Sequence, residues 1–124
     1  MFVGKGDVSA NVFNTTRQTL RLLGINHSYK GYSYLILAVH LVIENSDILT
    51  NICKGLYIEI ACQFNTSVSC VERNIRTIKN HLWKCGDREV LRKIFGDLYC
   101  CKAPTNAAFI DALSYYVMES LNNR

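Results

Sequence analysis

The chain has 124 residues, 49% of them apolar, and a net charge of +4. This length suits one domain with a single core, and the apolar fraction excludes a disordered tail. The longest apolar run, from Tyr34 to Ile43, is about half of the roughly 20 residues that a membrane span needs. All of the net charge lies between Glu72 and Lys93, where seven basic residues accompany three acidic ones, so an acidic partner is expected to meet that stretch.

The first predicted helix runs from about Thr15 to Leu23, because capping residues precede it and Gly24 follows it. After a connector, Gly31 precedes the run YLILAVHLVI. This run is apolar on nearly all sides and is therefore predicted to be a buried helix at the centre of a bundle.

The rest of the chain also has the pattern of helices. Ser46 is predicted to cap a short turn, and Thr105 or Asn106 to cap the last helix. Between them, the segments LYIEIACQF, VSCVERNIRTIKNHLWKCG and REVLRKIFG each predict one helix, and no segment has the pattern of a strand. The sequence therefore predicts an all-α, compact domain of six to seven helices over residues 14–124, after a flexible N-terminal segment of residues 1–13.

The segment around Asn65 meets the requirements for the first half of a helix-turn-helix motif. Such a motif needs a small residue where its two helices cross, and Ala61 supplies it. Four residues later the chain must leave the helix in a left-handed conformation, which Asn65 tolerates better than most residues. Phe64 is the apolar residue expected to fill the angle between the two helices.

The second half of the motif follows directly, as a recognition helix from about Val68 to Cys85. Ser67 is suited to cap this helix. Val71 and Ile75, four residues apart, are expected to face the first helix. The matching register predicts a helix-turn-helix between Tyr57 and Arg76.

The outer face of this helix is predicted to contact double-stranded DNA. Arginine forks match guanine acceptors, a carboxylate accepts from cytosine, and small hydroxyls reach phosphates. Cations after the helix are available as phosphate contacts. An ordinary solvated face, with Glu72 paired to Arg76, is the alternative interpretation. The candidate DNA-binding residues are Ser67, Val68, Ser69, Glu72, Arg73, Arg76, Lys79, Arg88, Arg92, Lys93 and Lys102.

The sequence gives little support for metal binding, nucleotide binding or catalysis. The six cysteines form no CxxC spacing and are expected to be reduced and mostly packed as small hydrophobes, with a metal or redox role left open for Cys100 and Cys101. His40 and Trp83 are expected in the core. No P-loop, nucleophile motif or metal-ligand spacing is present. We therefore expect a cytoplasmic protein, nucleoid-associated when bound to DNA, that is not an enzyme and has no cofactor, metal or membrane partner.

Several stretches resemble the C-terminal effector domain of the sporulation master response regulator, stage-zero sporulation protein A. They are KGYSYL, LYIEIACQFNTS, VERNIR, LWKCG, KIFG and KAPTN.AFI, and the resemblance extends from about Asn14 to Val117. It implies a six-helix DNA-binding domain that binds promoter boxes in tandem and contacts the RNA polymerase sigma factor or represses. It also implies that Glu72, Arg73 and Arg76 are recognition residues.

The chain departs from this family at several points. Cys70 occupies the place of a family arginine and is expected beside the groove-facing surface, while Ile36 and Leu37 replace a charged pair. The dozen residues before the first helix are too few for the family's receiver domain. The changes at Cys70, Ile36 and Leu37 leave a second hypothesis, a protein-interaction module or anti-regulator that keeps the fold and dimerises with an effector domain. Either Tyr115 or Tyr116 is a candidate dimer contact, and a homodimer on tandem sites is the corresponding expectation for DNA binding.

Overall fold

A computed structural model of the protein describes residues 5–99 and 102–123, and in this part of the chain all regular structure is helical. The all-α fold with a helix-turn-helix is thus confirmed. Within these ranges, no helix has both the length and the apolarity to cross a membrane. The six α-helices are α1 (Lys5–Leu22), α2 (Tyr32–Glu44), α3 (Ile58–Gln63), α4 (Val68–Cys85), α5 (Arg88–Phe95) and α6 (Asn106–Asn122).

In the described residues α1 already includes Lys5, so the predicted start near Thr15 was wrong. Threonines of this segment lie inside the helix and bond to the preceding turn, where the Thr16 and Thr19 hydroxyls donate to the carbonyls of Val12 and Thr15 at 2.7 and 2.9 Å. Hydroxyls bonded in this way can be buried inside a helix. The flexibility predicted for residues 1–13 stays a prediction, and residues 1–4 lie outside the described residues.

Helix α2 is the central helix, as predicted, and it packs against both α1 and α6. Leu35, Ala38 and Val39 are fully buried. His40 is mostly buried, with 15% of its side chain exposed; its Nε2 lies 3.1 Å from a Glu44 carboxylate oxygen. It therefore packs at the edge of the core, and its buried Nδ1 has no hydrogen-bond partner.

The connection from α2 to α3 differs from the prediction in two details. Asn45, not Ser46, caps the short 3-10 turn Ser46–Leu49, because its side-chain oxygen accepts from the Asp47 amide at 3.1 Å. Cys53–Tyr57 then forms a wider π-type turn, so that α3 is shorter than the segment LYIEIACQF. A Cβ atom at Gly55 would lie 2.8 Å from the Ile48 carbonyl oxygen, and only glycine permits this close approach.

An aromatic cluster joins α4, α5 and α6. Phe109 of α6 is fully buried, with its ring centroid 6.0 Å from Trp83 of α4 and 5.5 Å from Phe95 of α5. Trp83 lies 5.0 Å from Phe95 and 5.8 Å from Tyr99. These separations are typical of favourable aromatic pairs. Trp83 is thus packed against the core as expected, and the cluster fixes α5 and α6 relative to α4.

Three polar side chains start the helices that carry the candidate site. The side chain of Ser67 accepts from the Cys70 amide and so caps α4, and Asp87 caps α5 in the same way. Thr105 caps α6 by accepting from the Ala108 amide at 3.2 Å. Of the two residues predicted as the last cap, Thr105 is therefore the cap, which leaves the side chain of Asn106 available for another role.

Ala61→Leu is expected to destabilise the protein by about 1–3 kcal/mol, because Ala61 is buried on α3, which packs against α4, and a larger side chain would overpack this crossing. A urea unfolding curve measures the change. Gln63→Leu is the matched control, since it adds a leucine at an exposed position of the same helix. Unchanged stability for Ala61→Leu would show that α3 and α4 leave spare room at this point.

Candidate nucleic-acid interface

The chain leaves α3 through a left-handed residue, as predicted. Asn65 has a φ of 51° and is the one residue other than glycine with positive φ in the described part of the chain. The Thr66 amide donates to the Ala61 carbonyl at 2.9 Å, and the Asn65 amide donates to the Cys62 carbonyl at 3.4 Å. This pair of bonds is the Schellman arrangement that ends many helices. The turn is therefore built from local bonds and sets the direction in which α4 begins.

Phe64 does not fill the angle between α3 and α4, so that prediction was wrong. Its side chain is 42% exposed, and its ring lies 5.2 Å from the ring of Tyr34 in an edge-on arrangement. Tyr34 belongs to α2. Phe64 therefore packs the turn against the central helix rather than against the recognition helix.

The inner face of α4 is apolar and fully packed. Val71 and Ile75 have no exposed surface, which confirms the predicted pair, and Ile78 and Leu82 continue the same face. These four positions recur at the three- and four-residue spacing of one helix face. The opposite face of α4 is consequently directed away from the core.

The outer face of α4 carries polar and cationic side chains along three turns. Between Ser69 and Asn80 its exposed members are Ser69, Arg73, Arg76, Thr77 and Asn80, and Lys84 continues the face one turn later. Sequence reasoning identified the first three but missed Thr77 and Asn80. The signal was available, because Asn80 follows Arg76 by four residues and Arg73 by seven, which places all three on one face.

Glu72 and Arg76 form the ion pair that the alternative interpretation anticipated. The Arg76 Nη1 donates to both carboxylate oxygens of Glu72, at 2.8 and 3.0 Å. Arg76 remains about half exposed and Glu72 about one third exposed. This contact uses one of the three guanidinium nitrogens, and a bidentate contact with guanine needs two. The ion pair is therefore compatible with base recognition by Arg76.

Asn106 holds Glu72 from the other side. Its Nδ2 donates to the Glu72 carbonyl oxygen and to Glu72 Oε2, both at 3.3 Å, and to the Tyr57 hydroxyl at 3.0 Å. Burial raises the pKa of Tyr57, and the hydrogen bond from Asn106 partly opposes this effect. Sequence reasoning gave Asn106 no role here, and no local pattern connects it with Glu72, which lies 34 residues away.

Lys79 lies apart from the outer face, contrary to the prediction. It is only 7% exposed, and burial is the main cause that lowers its pKa, while the charge of Glu72 opposes the shift. Lys79 follows Ile75 by four residues and precedes Leu82 by three, so it shares their face. Val68 also packs partly against the core, and the hydroxyl of Ser67 is engaged in capping α4.

Cys70 is buried, so its predicted place beside the groove-facing surface was wrong. It is 8% exposed, and its Sγ lies 3.8 Å from the Tyr34 hydroxyl and 3.4 Å from Asn74 Nδ2. Hydrogen bonds from Thr66 and then Tyr34 lower the pKa of the thiol. The exchange of a family arginine for Cys70 therefore alters the contact between α4 and α2 rather than the outer face.

The connector before α2 lies along α4 and adds a cation that sequence reasoning missed. The ring of Tyr29 is 5.7 Å from that of His81, and a Cβ atom on Gly31 would lie 2.7 Å from the Asn74 carbonyl oxygen. After the hydrogen bonds from Thr66 and Tyr34, the charge of Lys30 also lowers the pKa of the Cys70 thiol, which is consistent with a position of this lysine near the first turns of α4. Lys30 is exposed, as are the predicted phosphate contacts Arg88, Arg92, Lys93 and Lys102.

The described cysteines are less buried than predicted. Cys53, Cys62 and Cys85 are exposed, and Cys70 is the buried one among the four free thiols described. Cys100 and Cys101, the pair for which a metal or redox role was left open, lie outside the described residues. Among the side chains that the structure describes, those of residues 10–99 and 102–123, no three His, Cys, Asp or Glu residues are grouped closely enough to hold a metal ion.

A comparison with known families agrees with this geometry. The family model described as sporulation initiation factor Spo0A C terminal matches residues 16–117, which is most of the chain. The match includes the whole helix-turn-helix and the start of α6. This is a family of DNA-binding regulatory domains rather than of enzymes. The chain therefore belongs to the Spo0A C-terminal family of DNA-binding effector domains.

Proposed function

We propose that the protein is a sequence-specific DNA-binding transcription regulator that inserts α4 into the major groove. The observation that carries this proposal is the outer face of α4, where Arg73 and Arg76 are exposed directly after a capped turn. The N-terminal turns of a recognition helix are the part that reaches base edges. Family membership supports DNA binding in general.

The exposed side chains divide into two groups by their place on the fold. Arg73 and Arg76 have the fork geometry for guanine, while Ser69 and Asn80 are suited to adenine or phosphate. The Thr77 hydroxyl instead donates to the Arg73 carbonyl at 2.9 Å. The second group would position the domain on the phosphate backbone of the DNA. Its members are Lys30, Arg88, Arg92, Lys93 and Lys102. Lys79 is not part of this proposal, because it is buried.

Glu72 has a different role from the cytosine acceptor expected from the sequence. Its carboxylate already accepts hydrogen bonds from Arg76 and Asn106. A carboxylate engaged in this way orients the neighbouring arginine and offsets part of its charge. We infer that Glu72 increases specificity by limiting the attraction of Arg76 to phosphates of any sequence.

Selection from random DNA tests the proposal directly. An enriched box is then titrated against a scrambled duplex at several salt concentrations. A DNA-binding regulator should prefer the enriched box by several kcal/mol, and its binding should weaken steeply as salt increases. Failure to enrich any sequence, together with binding that is indifferent to salt, would contradict the proposal.

Glu72→Ala is expected to strengthen binding to scrambled DNA and to reduce the preference for the enriched box by about 1 kcal/mol. Without its carboxylate partner, Arg76 should contact one additional phosphate. The salt slope, which is the slope of log affinity against log salt concentration, should then become steeper by about 0.9. Glu89→Ala is the matched control, since it removes the same charge from an exposed position on α5. If the two variants behave alike, net charge rather than the position of Glu72 explains the effect.

We also propose two protein partners, a second copy of this chain and an RNA polymerase sigma factor. Tyr115 is 62% exposed on α6 and Met118 beside it is also exposed, whereas Tyr116 packs against the core. These side chains support a homodimer on tandem sites, with Tyr115 as the candidate contact. Contact with an RNA polymerase sigma factor is proposed from the family resemblance alone. Of the three residues that had favoured a non-DNA-binding interaction module, Cys70 and Ile36 are buried and Leu37 is partly buried against the core, so that alternative loses support.

A further inference from the structure

Asn106 connects three separate parts of the fold at the edge of the recognition surface. It is the first residue of α6, and its Nδ2 reaches Tyr57 just before α3 and Glu72 on α4. The Glu72 carbonyl and carboxylate oxygens can only accept hydrogen bonds, so the amide nitrogen must point toward them. The geometry therefore fixes the orientation of the Asn106 amide as well as its position.

We propose that Asn106 is a positioning residue for DNA recognition, which sets the orientation of Arg76 by fixing the carboxylate of Glu72. This inference rests on the proposed function and extends it to a residue outside the helix-turn-helix. The chain of contacts runs from Asn106 Nδ2 to Glu72 Oε2 at 3.3 Å, and from the Glu72 carboxylate to Arg76 Nη1 at 2.8 and 3.0 Å.

A glutamate–arginine pair on an exposed helix face is ordinarily mobile, because its two long side chains lose rotamer entropy when they are held together. The bond from Asn106 removes part of that freedom from Glu72 before DNA arrives. Asn106 itself is held at a second point by the hydroxyl of Tyr57, which is almost fully buried. Arg76 is thus oriented through a partner whose own position is fixed by the core.

Helix α6 keeps Asn106 in place. Phe109 and Ile110, three and four residues later, are fully buried, and the Thr105 cap fixes the first turn. The start of a helix also carries partial positive charge, which favours a nearby carboxylate. Glu72 is therefore held both by a hydrogen bond and by the favourable field at the start of α6.

The first experiment follows Arg76 in the protein without DNA. Nitrogen-15 NMR of the arginine side chains should show slowed guanidinium rotation for Arg76 in the wild type. In Asn106→Ala, the guanidinium of Arg76 should rotate as fast as that of Arg73. The control Thr105→Ala removes the helix cap but keeps the amide of Asn106, so the rotation of Arg76 should stay slow. Fast rotation of Arg76 in the wild type, or slow rotation retained in Asn106→Ala, would overturn the proposal.

The second experiment measures the ratio of affinities for the enriched and the scrambled duplex. Asn106→Ala should lower this ratio about threefold, less than the roughly fivefold loss that corresponds to the effect expected for Glu72→Ala, without changing the salt slope, and Thr105→Ala should leave the ratio unchanged. In a Glu72→Ala background, Asn106→Ala should have no further effect on the ratio, because Asn106 acts through Glu72.

The outcomes of the second experiment separate the two proposals. A wild-type protein that does not discriminate between the duplexes would overturn the proposed function and, with it, this inference. Discrimination by the wild type that is fully retained in Asn106→Ala would overturn the inference alone. An equal loss of discrimination in Asn106→Ala and Thr105→Ala would also overturn it, since instability of α6 would then account for both.

Discussion

Arg73→Ala is expected to weaken binding to the preferred DNA box by about 1–3 kcal/mol and to relax the preference at a single base pair. Arg73 is exposed on the outer face of α4, six positions after Ser67, the residue that caps the helix. In the proposed binding mode, a guanidinium fork at this position would contact two guanine acceptors at once, and alanine offers neither donor. Loss of a phosphate contact alone would instead weaken all duplexes equally.

Titration of the enriched and scrambled duplexes at two salt concentrations distinguishes these effects. The logarithm of the wild-type affinity should fall with the logarithm of salt by about 0.9 per neutralised phosphate. Arg21→Ala is the control, since Arg21 is an exposed arginine on α1, a helix that packs on α2 and α6. An equal loss in both variants, or no loss for Arg73→Ala, would contradict the role of α4 as the recognition helix. Arg76→Ala is a less clean test because it also leaves Glu72 without its cation.

The sequence predicts the helix-turn-helix well because its determinants are local. The left-handed conformation of Asn65, the cap of Ser67 and the burial of Val71 and Ile75 each depend on neighbours within a few residues. Rules for helix ends and helix faces apply at that range. Charge and register together are sufficient to identify the exposed Arg73 and Arg76.

Lys79 shows how a local rule was misapplied. It was assigned to the outer face because it carries a charge one turn after Arg76, although its spacing to Ile75 and Leu82 places it on the inner face. The same spacing rule would have selected Asn80 in its place. In this helix, the face on which a residue lies determined whether its side chain is exposed, and the residue type did not.

Other features depend on contacts between distant parts of the chain and could not have been predicted locally. Cys70 is buried because Tyr34 of α2 lies beside it, 36 residues earlier. Phe64 turns toward the same tyrosine instead of filling the angle between helices. Asn106 meets Glu72 only because α6 returns to α4. In each case the tertiary arrangement of the helices determines which residue the side chain contacts, and no local sequence pattern predicts that arrangement.

Phe109→Ala is expected to cost about 3–5 kcal/mol of stability, the largest effect among the substitutions considered. Phe109 is fully buried between Trp83 of α4 and Phe95 of α5, and alanine would leave a cavity where three helices meet. Trp83 is the only tryptophan and lies in this cluster, so its fluorescence reports directly on unfolding in urea.

The substitution should also affect DNA binding, even in conditions where the variant is folded. Arg88 and Arg92 on α5 are placed relative to α4 by this cluster, so a loosened cluster should weaken binding to all duplexes and flatten the salt slope. Phe109→Leu is the matched control, since leucine fills most of the space and should cost less in both measurements. A Phe109→Ala variant that loses stability but binds both duplexes with unchanged affinity would contradict a contribution of Arg88 and Arg92 that depends on this cluster.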